Sequence, residues 1–99
     1  MSGLIIHPEV GGEIAEAARW YREIDPELAE KFVAEIYRGI GNVRDDPLHY
    51  RIVDAPYRRK LCGVFPYRIV FEIIEELQAV HIVAVTHQMR DLDQWKSRL

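Results

Sequence analysis

The chain has 99 residues, enough for one domain over residues 1–99 and too few for two that each bury a core. Its apolar content of 48% is spread without polar tracts, which excludes a disordered chain. No run approaches the roughly 18 apolar residues of a membrane span, MSGLIIHPEV is no signal peptide, and the lone Cys62 fits a reducing cytoplasm. Such a small body also has no room for a deep, enclosed active site.

Leu4-Ile5-Ile6 reads as a first strand. His7-Pro8-Glu9 then starts a helix, with proline at its first position and Glu9 and Glu13 near the positive end of the dipole. Val10, Ile14, Ala17, Ala18, Tyr21 and Ile24 recur at helical spacing and define one apolar face. Gly11-Gly12 costs about 1 kcal/mol per residue, so a frayed first turn is expected. Asp25-Pro26 ends this helix and begins another, with Asp25 as N-cap. Leu28, Phe32, Ile36, Ile40 and Val43 form the second stripe, and Asp45-Asp46-Pro47 stops it. Joined by so little chain, the two helices should form an antiparallel hairpin.

After Pro47 the period falls to two. Short strands are expected over 49–53 and 57–62, with Gly63 allowing a turn. In 67–74, Tyr67, Ile69, Phe71 and Ile73 share one face, while Arg68, Val70, Glu72 and Ile74 share the other. Glu75 to Gln78 reads as a turn without the usual glycine. Residues 79–86 are apolar on both faces apart from His81, as suits a central strand covered on both sides. Leu92, Trp95 and Leu99 suggest a short amphipathic turn in the tail. The expected architecture is α+β, with element order β-α-α-β-β-β-β and a helical hairpin packed on a mostly antiparallel sheet.

The net charge of −3 averages two unlike halves. Residues 1–50 carry five basic and ten acidic side chains, and residues 51–99 carry eight basic and six acidic. Arg51, Arg58, Arg59, Lys60 and Arg68 meet one acid, Asp54, before Glu72. This cluster reads either as a solvated strand surface or as a patch for a polyanion or an acidic protein. The overall acidity opposes strong nonspecific nucleic-acid binding, which needs many phosphate contacts.

Glycine-rich phosphate loops, a G-x-S-x-G elbow and paired C-x-x-C cysteines are all missing from the sequence. Cys62 reads as structural, although neighbouring arginines would lower its pKa and activate it. His81 and His87, six apart, would share a face on a regular strand, but two histidines make no complete zinc set, so no metal is expected. Metal-free RNA cleavage is a further option. Arg58, Arg59, Lys60, Arg68 and Arg90 would supply cations for the phosphorane, and His87 a group titrating near neutrality. The bland alternative pairs Arg68 and Arg90 with Glu72 and Asp91, and leaves His87 as a polar strand end.

The helical hairpin, Arg59, the run Phe65-Pro66-Tyr67-Arg68-Ile69-Val70-Phe71, and Val83-Ala84-Val85-Thr86-His87 followed by Arg90-Asp91 together resemble the RelE/ParE toxin superfamily. These are toxins of bacterial type II toxin–antitoxin (plasmid stabilisation) modules, and the likeness covers nearly the whole chain. It implies the same α+β fold, no cofactor, a cognate antitoxin as partner and a cytoplasmic toxin that arrests growth. It also implies one of two actions. RelE-like members cut mRNA on the ribosome as mRNA interferases, here through Arg59, Arg68, His87 and Arg90. ParE-like members poison DNA gyrase by binding. The H-x-x-R-D ending (His87, Arg90, Asp91), the lack of a tyrosine after Tyr67 and the mild acidity resemble the ParE branch. Arg58, Arg59, Lys60 and Arg68 are then the target- or RNA-binding candidates, and Trp20 and Trp95 the antitoxin anchors. A toxin kept only as an antitoxin-binding module is the third reading.

Overall fold

The structure, a computed structural model, describes residues 3–89 and 94–98. Strand β1 (Gly3–Ile6) leads into helices α1 (Pro8–Ile24) and α2 (Pro26–Asp45). A 3₁₀ turn (Pro47–His49) is followed by β2 (Arg51–Asp54), β3 (Tyr57–Leu61), β4 (Tyr67–Ile74) and β5 (Ala79–His87). A 3₁₀ segment, Gln94–Arg98, ends the described chain; Leu92 and Leu99 of the expected tail turn lie outside the described residues.

Helix starts follow the local chemistry. The His7 imidazole accepts from the Glu9 N–H at 3.1 Å, and Pro8 occupies the first turn. Asp25 closes α1 by donating its N–H to the Tyr21 carbonyl, and opens α2 by accepting from the Glu27 N–H at 3.0 Å. The expected fraying at Gly11-Gly12 does not occur: both lie inside α1, held by His7 before them and by buried Val10 and Ile14 on either side.

The five-stranded sheet has the order β1-β5-β4-β3-β2. Only β1 runs parallel to its neighbour, with Leu4 opposite Val80 and Ile6 opposite Ile82. The helices cover one face. There Phe32, Ile36 and Ile40 of α2 and Val10, Ile14 and Tyr21 of α1 pack on Ile69, Phe71, Val80, Ile82 and Val85. Gly39 brings α2 close to the sheet, since a Cβ there would lie 2.8 Å from the Ile69 Cδ1. The turn before β5 is closed by Gln78 in the left-handed region, at φ 49°.

One irregularity governs the rest. Val70 pairs with Ala84 and Phe71 with Ile82, so Val83 is an extra residue in β5. Before it, even-numbered residues (Val80, Ile82) face the helices; after it, odd-numbered ones (Val85, His87) do. His81 and His87 therefore lie on opposite faces, contrary to the expectation from a regular strand. The far face of the sheet is also covered. Trp95 is 1% exposed and packs with Val70, Val83 and Ala84, its ring 4.6 Å from that of Tyr57.

Candidate functional site

Strand alternation divides the basic cluster. Arg58 stands opposite Phe71 and Lys60 opposite Ile69, both core residues facing the helices. The Arg58 Nη1 donates to the Tyr50 carbonyl at 2.8 Å, and the Lys60 ammonium lies 5.6 Å from the Tyr50 ring centroid. Arg59 stands opposite Val70, whose side chain joins the Trp95 cluster, and Arg68 stands opposite Leu61 and Thr86. The far face of the sheet thus carries Arg51, Arg59 and Arg68 together and turns Arg58 and Lys60 away.

Arg68 is buried rather than a free surface cation. Its Nη2 donates to the carbonyls of His87 and Gln88, at 3.1 and 2.7 Å, which ties the end of β5 to β4. Burial and then the neighbouring Arg59 hold its guanidinium below the usual arginine range. Alongside lies a polar row that sequence reading missed. His81 Nδ1 is 3.3 Å from Glu72 Oε2, and Tyr57 hydrogen-bonds to the same carboxylate. Burial first, and then Glu72, push the Tyr57 phenol up. Tyr57 is two residues from Arg59 on one strand face, about 7 Å along the strand.

His87 belongs to the other side. Its ring packs 5.2 Å from that of Tyr67, and its Nδ1 accepts from the Met89 N–H at 3.0 Å. It lines a groove of about 720 Å³ between α1 and the ends of β4 and β5. Val85 and Thr86 form part of the floor, and Trp20, 60% exposed, stands on the α1 wall. The set Arg59, Arg68, His87 and Arg90 is therefore not assembled as expected: two members share the far face, His87 opens into the groove, and Arg90, with Asp91, lies outside the described residues. The two tryptophans also part company. Trp20 is an exposed rim residue, whereas Trp95 is buried core and offers no exposed anchor.

Cys62 is buried among core residues, and burial pushes its thiol up to about 11. Glu35 pushes in the same direction and Lys60 only partly opposes it, so the thiol sits as the structural reading expected and the alternative of activation by basic neighbours does not apply. Among the described residues, no group of three or more histidine, cysteine or acidic side chains is placed to hold a metal. Among the same residues, no helix is long and apolar enough to cross a membrane.

A second side-chain system binds the tail to the body. Arg98 Nη1 donates to Glu13 Oε1 at 3.0 Å and to the Val83 carbonyl at 3.0 Å; its Nη2 meets Glu13 Oε2 at 2.5 Å. Its Nε is 2.7 Å from Glu9 Oε2. Glu13 Oε1 also accepts from the Val85 N–H at 2.9 Å. Strand β1 pairs with β5 only as far as Ile82, so these two side chains satisfy backbone groups that a longer β1 would have met.

The ParE toxin family, described as the ParE toxin of the type II toxin–antitoxin system parDE, matches residues 4–92. The chain belongs to that family. Search of curated proteins returns no match. Two solved structures share the fold of this ParE-family chain. The isolated RelE toxin of E. coli has 15% identity and a TM-score of 0.62, with 99% of this chain and 96% of that one covered. A chain of the intact E. coli RelBE toxin–antitoxin complex has 16% identity and a TM-score of 0.62, covering 91% of this chain and all of that one. The chain is thus a type II toxin of the RelE/ParE superfamily with the α+β fold anticipated above.

Proposed function

We propose that this ParE-family toxin arrests growth in the cytoplasm by binding and poisoning DNA gyrase, without cutting RNA, and that a cognate antitoxin neutralises it. One observation carries the choice of action. The imidazole that the nuclease reading requires, His87, faces the α1 groove, while Arg59 and Arg68 face the other side of the sheet. A base and the cations that stabilise a phosphorane must converge within hydrogen-bond reach of one phosphodiester. The arginines of the far face fit a surface for an anionic or acidic partner.

Arg59 is the informative position, because Arg68 also holds two carbonyls and its removal costs stability. Purified toxin should inhibit gyrase supercoiling, and Arg59→Ala should weaken inhibition by about tenfold while the melting curve stays in place. Unimpaired supercoiling at large toxin excess would overturn the proposal. The existence of a RelBE complex for a chain of this fold supports an antitoxin partner, and the groove edged by Trp20 is its docking surface in this reading.

RNA cleavage remains the second reading, now with other residues. Tyr57, Glu72 and His81 lie on the same face as Arg59 and Arg68 and include both a phenol and an imidazole. Ribosome-dependent mRNA cuts, made by the same preparation and abolished by His81→Ala or Tyr57→Phe, would replace the gyrase proposal with this one.

A further inference from the structure

Among the described residues, the α1 groove carries a charge opposite in sign to that of the basic face. Glu16, Trp20 and Glu23 recur at four- and three-residue spacing along one stripe of α1, and all three line the groove. Glu13 lines it too, but is spent on Arg98 and the Val85 N–H. Glu16 and Glu23 are exposed and make no hydrogen bond or ion pair within the described residues. Among the described residues, Arg19 is the one lysine or arginine in the lining, and the two free carboxylates outnumber it. Apart from Thr86 and the His87 ring, the rest of the described wall is apolar or aromatic: Ala17, Tyr21, Tyr67, Pro66, Val85 and Met89, the last 86% exposed.

An indole face flanked by two uncommitted carboxylates is chemistry for a cation with an apolar stem. The ring quadrupole attracts the charge, the carboxylates add Coulomb attraction, and the methylene stem covers aromatic surface that is otherwise wet. We propose that this groove docks a cationic, amphipathic arm of a partner polypeptide, seating a lysine or arginine over Trp20 between Glu16 and Glu23 and an apolar residue on the Ala17, Val85 and Tyr67 floor. This inference rests on the antitoxin-docking reading of the groove and deepens it. The arm that fills the groove is basic, while any segment crossing to Arg59 and Arg68 must be acidic, so one partner covering both faces carries the two signs in separate stretches.

The test uses the full chain and two synthetic peptides of equal length, one of alanine, leucine and lysine, the other with glutamate in place of lysine. Binding is followed through the fluorescence of exposed Trp20. The lysine peptide should bind, more weakly as salt rises, and the glutamate peptide should not. The double variant Glu16→Gln/Glu23→Gln and, separately, Trp20→Ala (followed by calorimetry) should each weaken the lysine peptide by about fivefold or more. The control Glu75→Gln/Glu76→Gln removes the same charge from the distant turn before β5 and should leave affinity unchanged. Equal binding of both peptides, or equal loss in the control, overturns the proposal. So does a chain that self-associates through Trp20, read as a lower mass for Trp20→Ala in sedimentation. Growth unaffected by the toxin would defeat the proposed function yet leave this peptide preference standing, so the two failures are distinguishable.

Discussion

Removing the guanidinium of Arg98 should loosen the tail and the bare end of β5 together. Arg98→Leu deletes both bonds to Glu13, the ion pair to Glu9 and the bond to the Val83 carbonyl. The side chains of Arg98 and Glu13 are 12% and 17% exposed, so water screens the pair only partly. A charged hydrogen bond in such a setting contributes about 1.5–3 kcal/mol, and the Glu9 contact, whose carboxylate is exposed, adds little. The expected loss is therefore about 2–3 kcal/mol, or roughly 8–20 °C in melting temperature for a chain of this length. Glu13→Gln keeps an acceptor for the Val85 N–H and should cost less, and a double-mutant cycle should return a coupling of about 1–2 kcal/mol. Urea unfolding gives these energies, while hydrogen exchange at Val85 reports local opening near the latch. A loss below about 0.5 kcal/mol, or a coupling near zero, would show that these contacts are surface ornament and refute the reasoning.

Three other outcomes follow from the packing. The Cys62 thiol, raised to about 11, should ignore thiol reagents until the chain unfolds; the folded state holds this proton more tightly, so stability should decline as pH rises from 9 towards 11, and Cys62→Ala should flatten that slope. Gly11→Ala and Gly12→Ala meet nothing within 4 Å and should each stabilise by about 0.5–1 kcal/mol, whereas Gly39→Ala drives a Cβ against Ile69 and should destabilise; equal effects in thermal melts would contradict the geometry. Trp95→Ala should cost about 3–5 kcal/mol, but Trp95→Phe far less, because among the described residues the buried indole N–H has no acceptor to lose.

The helical hairpin was legible because its signals are local: Asp25 caps within two residues, and the apolar stripes repeat within one helix. Strand β4 was legible because polar and apolar residues alternate along it. The site was not, and the reason is specific. Ile82, Val83, Ala84 and Val85 are all apolar, since both faces of β5 are covered, so the run carries no alternation from which a bulge can be read. One extra residue moved His87 to the opposite face and broke the expected constellation. Glu13 and Arg98 meet across 85 residues, a separation at which no periodicity operates. Trp95 looked like an amphipathic tail residue because the apolar surface it covers belongs to strands far from it in sequence.

Arg51, Arg59 and Arg68 set like charges side by side on the far face of the sheet, and Arg59 and Arg68 show the consequence. Diagonal neighbours on adjacent strands, they lie roughly 7–8 Å apart at the backbone. Other charged groups meet opposite partners: Arg98 has Glu13 and Glu9, and His81 has Glu72. Burial, and then Arg59, act against the charged form of Arg68, so the charge at position 59 works against its neighbour. A carboxylate or phosphate delivered to the Arg59 side would offset that repulsion. Arg59→Glu should therefore raise the stability of the free chain slightly while abolishing target inhibition, a divergence that a merely structural arginine cannot produce.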